Sequence, residues 1–107
     1  MDEIVLLYTT WPDAETAQAA ADAAVEAELA ACANILAPMT SVYRWGGKIE
    51  RRDEVSMILK TTAAASERLR DLIAARHPYE TPCILALPVL EAGSNRAFLA
   101  WIAEQTP

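Results

Sequence analysis

Apolar and polar residues alternate most clearly across residues 41–61, and this pattern predicts one long β-hairpin. Because side chains alternate along a strand, Tyr43 and Trp45 share one face of its first arm. Gly46 and Gly47 lie between the arms and tolerate the positive φ that a two-residue hairpin turn requires. Arms of roughly ten residues are long against a mean strand of about five or six. We therefore expect their edges to pair with another chain.

The remaining pattern predicts a strand over 3–10, a break at 11–13, and an alanine-rich helix over 14–29. The predicted inner face of that helix is small: Ala17, Ala20, Ala21, Ala24 and Val25. A second strand over 31–36 is interrupted by Pro38 before the hairpin. A second helix (64–75), a strand (84–89) and a short helix capped by Asn95 follow. The order βαββαβ predicts an α+β, ferredoxin-like sandwich with an extended hairpin and an extra C-terminal helix, as one domain over 1–107.

Composition favours assembly and argues against nucleic acid as a partner. Apolar residues make up 53% of the chain, but 22 of its 107 residues are alanine, which bury little surface. Oligomerisation commonly supplements so thin a core. The net charge of −6 disfavours binding to phosphate backbones. The basic residues near the hairpin turn alternate with Glu50, Asp53 and Glu54, which predicts a solvated ribbon of mixed charge.

Location and redox state are predicted from what the sequence lacks. No apolar run reaches the ~18 residues of a membrane span, and no basic-then-apolar leader opens the chain. We therefore expect a cytoplasmic protein with no membrane partner. Cys32 and Cys83 form no CxxC motif and are expected to be free thiols.

Fold alone does not identify a function, so each function common on this scaffold has to be tested against the residues. Three of these functions do not match. The loop after the first strand lacks the paired cysteines of a soft-metal carrier and the glycines of an acylphosphatase-like anion loop. The third strand lacks the basic and aromatic pattern of an RNA-recognition motif. A trimeric regulator that binds a small ligand between subunits conflicts with nothing in the sequence.

Nearly the whole chain resembles the CutA family of divalent-cation tolerance proteins. Five ordered blocks carry the resemblance: LAACANI (29–35), SVYRWGGKIE (41–50), 54–61, HPYETP (77–82) and LAWI (99–102). The resemblance implies a ferredoxin-like protomer and a homotrimer in which the hairpin reaches onto neighbouring subunits. It also implies a role linked to copper and other divalent metals, and an architecture similar to the PII signalling proteins.

The metal ligands implied by bacterial members of the family match Tyr8, Arg76 and His77, of which only His77 is a good ligand here. The candidate ligands for Cu(II) or another divalent metal are therefore His77, Cys83 and Cys32. Each has a structural alternative: His77 as a loop residue bonded to a backbone carbonyl, Cys32 as a buried thiol. Cys83 is close enough in sequence to approach His77 across a bend.

A second candidate site is a cleft between subunits, formed by Tyr43, Trp45, Lys60, Tyr79 and Glu80. The aromatic residues would serve equally as packing residues at subunit contacts, and Lys60 with Glu80 as an ion pair or the lining for a small anion. We thus expect a metal-binding or metal-responsive protein, with a PII-like small-molecule regulator as the alternative. No enzyme is expected, because no nucleophile and base can be placed together, and no organic cofactor is implied.

Overall fold

The computed structural model describes residues 3–107, so that Met1 and Asp2, which belong to the predicted domain, lie outside the described residues. Its elements follow the predicted order, with the second strand divided in two. The strands are β1 (Ile4–Trp11), β2 (Cys32–Ile35), β3 (Met39–Trp45), β4 (Lys48–Thr62) and β5 (Ile84–Pro88). The helices are α1 (Ala14–Glu26), α2 (Ala63–Arg76) and α3 (Arg96–Gln105). The predicted α+β class is confirmed.

All strand pairs of the sheet are antiparallel, and the long strand β4 organises them. The order is β2-β4-β1-β5, while β3 pairs with the outer half of β4. Pro38 lies between β2 and β3, where its missing N–H and fixed φ break the ladder as expected. Strands β2 and β3 thus act as one interrupted strand beside β4, which gives the predicted βαββαβ arrangement.

The main core lies between one face of the sheet and the helices α1 and α2. Its largest fully buried members are Trp11, Leu7, Met57, Leu59, Leu69 and Ile73. The prediction that Trp11 belongs to a loop was wrong, because it is the last residue of β1 and is 0% exposed. Its bulky ring adds volume to a core to which the buried face of α1 contributes only alanines.

The first helix ends three residues earlier than predicted, at Glu26. Glu28 has a φ of 58°, and the N–H of Leu29 returns to the carbonyl of Ala24, which stops the helix as a left-handed cap does. This turn leaves Val25 43% exposed, so its predicted place on the inner face was wrong. Asp13 caps the other end as the sequence suggests, accepting from the N–H of Thr16.

The opposite face of the sheet is covered only at one end, by α3. Leu99 and Ile102 of this helix pack on Ile4 of β1 in a second, smaller cluster. Further along the same face, Leu85 and Leu87 of β5 remain 58% and 44% exposed. The described chain therefore leaves a broad apolar sheet face uncovered.

The hairpin of β3 and β4 turns at Gly46 and Gly47, whose φ values of 58° and 80° confirm the two-residue turn. The turn fixes the register, so Tyr43 lies opposite Glu50. Most charged residues of the ribbon are exposed, as predicted. Glu54 is the exception: it is only 8% exposed, so its predicted place in a solvated ribbon was wrong.

Candidate functional site

His77 lies at the base of the candidate site, where α2 ends and a proline-bracketed loop begins. It is the C-cap of α2 and is 8% exposed. Its Nε2 lies 2.7 Å from the carbonyl oxygen of Thr10, and its Nδ1 lies 3.1 Å from the backbone nitrogen of Tyr79. Because the carbonyl can only accept and the backbone N–H can only donate, the proton is on Nε2 and the ring is neutral. His77 therefore ties the loop to the end of β1.

The ring of His77 also contacts two aromatic neighbours. Its centroid lies 4.2 Å from that of Trp11 and 4.8 Å from that of Tyr79. Trp11 is fixed in turn, because its Nε1 donates to Thr9 Oγ1 at 2.7 Å and Thr9 donates to the carbonyl of Met57 at 2.9 Å. This buried chain of contacts makes the base of the site rigid.

Above this base lies a cleft of about 660 Å³ between the hairpin and the loop that follows α2. We call it the hairpin cleft. It is lined by Thr10, Ser41, Tyr43, Trp45, Glu50, Arg52, Glu54, Tyr79, Glu80, Thr81 and Cys83. The hairpin residues all lie on one face, since Ser41 and Tyr43 pair with Arg52 and Glu50 across the ribbon. The volume falls within the ~300–1,000 Å³ typical of small-molecule sites.

Tyr79 and Glu54 join the two walls of the hairpin cleft. The Tyr79 hydroxyl donates to Glu54 Oε2 at 3.0 Å, and the guanidinium carbon of Arg52 lies 5.0 Å from the centre of the Tyr79 ring. Burial raises the pKa of Tyr79 above its usual value near 10, and the hydrogen bond and charge of Glu54 raise it further. Arg52 lowers the pKa, chiefly through its side-chain hydrogen bond to the phenol and less through its positive charge. The phenol is thus held in its protonated form as a donor.

The structure brings together four of the five residues predicted to form a cleft: Tyr43, Trp45, Tyr79 and Glu80. Lys60 is not among them. It lies six residues beyond Glu54 on β4, about 20 Å at the rise of a strand. Its Nζ lies 5.4 Å from the centre of the Phe98 ring, so α3 and not Glu80 is its neighbour. The predicted ion pair of Lys60 with Glu80 is therefore replaced by a cation–π contact.

The three predicted metal ligands lie in different surroundings. Cys83 lines the hairpin cleft and His77 lies beneath it, whereas Cys32 pairs with Lys60 at the far end of β4. Both ring nitrogens of His77 already make hydrogen bonds, so ligation by His77 would require one of them to break. No three His, Cys, Asp or Glu side chains within residues 3–107 cluster closely enough to hold one ion. The residues of a single described chain do not fit a preformed metal site.

Sequence reasoning missed Glu54, Arg52 and Glu50 as residues of the cleft. The signal was present in the turn, because a two-residue turn at Gly46 and Gly47 sets every cross-strand pair of the hairpin. Pairing outward from the turn would have placed Glu50 and Arg52 on the face of Tyr43. The burial of Glu54 carried no such local signal, since it depends on the loop that holds Tyr79.

In the part of the chain that the structure describes, no helix is long and apolar enough to cross a membrane. This finding agrees with the absence of a long apolar run in the sequence.

Comparisons with known proteins give a consistent result. The sequence profile of the family described as CutA1 divalent ion tolerance protein matches residues 5–105. The divalent-cation tolerance protein CutA of Thermus thermophilus is 43% identical over 106 residues, which are 99% of each chain. The crystal structure of the divalent ion tolerance protein CutA1 from Ehrlichia chaffeensis superposes with a TM-score of 0.93 at 38% identity, covering 100% of this chain and 98% of that one.

A third relative differs in the compartment its name gives. It is described as the periplasmic divalent cation tolerance protein CutA from Archaeoglobus fulgidus. That structure superposes with a TM-score of 0.92 at 39% identity, covering 97% of this chain and 99% of the other.

Proposed function

The chain belongs to the CutA1 divalent ion tolerance family, and from that premise we propose that it binds Cu(II) or a related divalent metal as a cytoplasmic homotrimer. The observation that carries this proposal is the match to the family over residues 5–105, with the same fold throughout. The metal would be cargo and not a fixed cofactor, because the described residues of one chain hold no preformed site for it.

Cys83 is the best placed of the predicted ligands. It lies in the hairpin cleft, which also contains the carboxylates of Glu50, Glu54 and Glu80. Thiolate and carboxylate groups bind different divalent metals, and thiolate favours zinc and copper. Since no three of these groups cluster within the described chain, we propose that a neighbouring subunit completes the coordination. His77 would then act beneath the site by fixing the loop, and Cys32 would remain outside it.

Two features support assembly into a homotrimer of single-domain chains. The outer edges of β3 and β5 have no strand partner within residues 3–107, and such edges pair readily with other chains. The uncovered sheet face and the hairpin also expose large apolar side chains. These are Val42, Trp45 and Ile49 of the hairpin and Leu85 and Leu87 of β5. Exposed apolar surface of this kind marks an interaction surface.

The cysteines support a reducing compartment, and the contacts of His77 support a role other than catalysis. Cys32 and Cys83 are both free thiols, which persist in the cytoplasm. His77 bonds only backbone groups, so within the described residues it activates no serine or cysteine nucleophile. We therefore propose a binding protein and not an enzyme.

Metal titration by calorimetry tests the proposal, with the N-terminal amine blocked so that it cannot chelate. Zn(II) is titrated first, because it has no redox chemistry with thiols, and Cu(II) second. We expect micromolar binding, equivalent to about 8 kcal/mol, with Cu(II) tighter than Zn(II). Cys83→Ser should weaken binding at least about tenfold, while the matched variant Cys32→Ser leaves it unchanged. Equal binding by both variants would show that Cys83 is not a ligand. No binding by the wild type would show that the protein does not bind the metal.

A cellular measurement tests the tolerance role directly. Cells lacking this protein should grow more poorly than wild-type cells in elevated Cu(II), and the intact chain should restore growth. Cys83→Ser should restore it less well than Cys32→Ser. Normal growth of the deletion strain at every metal concentration would contradict the role.

A further inference from the structure

No further inference is drawn: the strongest candidate, the face of the β3–β4 hairpin that points away from the hairpin cleft and exposes Val42 and Ile49 beside Arg44 and Arg51, carries nothing beyond the assembly already proposed, because nothing in the structure shows what covers it.

Discussion

The hydroxyl of Tyr79 donates a 3.0 Å hydrogen bond to the carboxylate of Glu54 and so joins the loop after α2 to the middle of β4. The two residues are 25 positions apart in the sequence. Both residues line the hairpin cleft and join its two walls, and His77 accepts a hydrogen bond from the backbone N–H of Tyr79 in the same loop.

Tyr79→Phe should destabilise the fold, because it leaves the buried carboxylate of Glu54 without its donor. Loss of a partner for a buried charged group costs about 1–3 kcal/mol in the free energy of unfolding. Urea denaturation followed by circular dichroism measures this value. Tyr43→Phe is the matched control, since the Tyr43 hydroxyl makes no hydrogen bond within the described residues; equal losses in the two variants would contradict the role of the contact.

Glu54→Gln should lower the pKa of Tyr79. Burial is the largest cause of the raised value and remains, but the carboxylate acceptor and its negative charge are removed. Because the pKa of Tyr79 is higher in the folded than in the unfolded chain, the protonated phenol favours the folded state. This contribution is fully present below pH ~10, the unfolded-state value, and is lost as pH rises through the folded-state pKa. Absorbance titration of tyrosinate, taken as the difference between each protein and its Tyr79→Phe version, isolates this one phenol. An unchanged or higher pKa in Glu54→Gln would contradict the prediction.

His77→Phe should be destabilising even though it preserves an aromatic ring beside Trp11. The new side chain cannot donate to the carbonyl of Thr10 or accept from the N–H of Tyr79, and leaving these part-buried groups without a partner costs at most about 1–3 kcal/mol each. The midpoint of urea unfolding should fall accordingly. If stability is unchanged and only metal affinity is lost, then His77 serves as a ligand and its hydrogen bonds are of minor importance.

Glu28→Gly should stabilise the protein. Glu28 has a φ of 58°, a left-handed conformation that costs a residue with a Cβ roughly 1–2 kcal/mol and costs glycine nothing sterically. The larger loss of chain entropy with glycine offsets part of this gain, so we expect a net increase of up to about 1 kcal/mol. The matched control Glu26→Gly lies within α1 and should be destabilising by a similar amount. A lower melting temperature for Glu28→Gly would contradict the prediction.

Leu85→Lys should abolish the proposed trimer while leaving the fold of the chain intact. Leu85 is 58% exposed on the uncovered face of β5, so the single chain loses little, but a charge there opposes burial between subunits. Light scattering should give three times the chain mass for the wild type and for the control Glu67→Lys on the helical side. A monomeric wild type, or a trimeric Leu85→Lys, would contradict the proposed interface.

Local sequence signals determined much of the architecture. The pair Gly46 and Gly47 fixed the hairpin turn and, through it, the side of the ribbon on which Tyr43 and Trp45 lie. Asp13 and Asn95 fixed the starts of two helices, because their side chains accept from backbone N–H groups only three residues away. Such interactions span a few residues, so they can be deduced from the sequence alone.

The site depended on contacts that no local pattern contains. The burial of Glu54, its bond to Tyr79, and the contact of His77 with Thr10 join segments 25 and 67 positions apart. Trp11 follows the same rule, because its burial depends on the helices that pack over the end of β1 and not on its neighbours in the sequence. The separation of Lys60 from Glu80 arises from the length of β4, which places residues of one strand at opposite ends of the sheet. The sequence therefore determined the turns, the caps and the order of elements, whereas the tertiary structure decided which charges are buried, because burial depends on what distant segments place around each side chain.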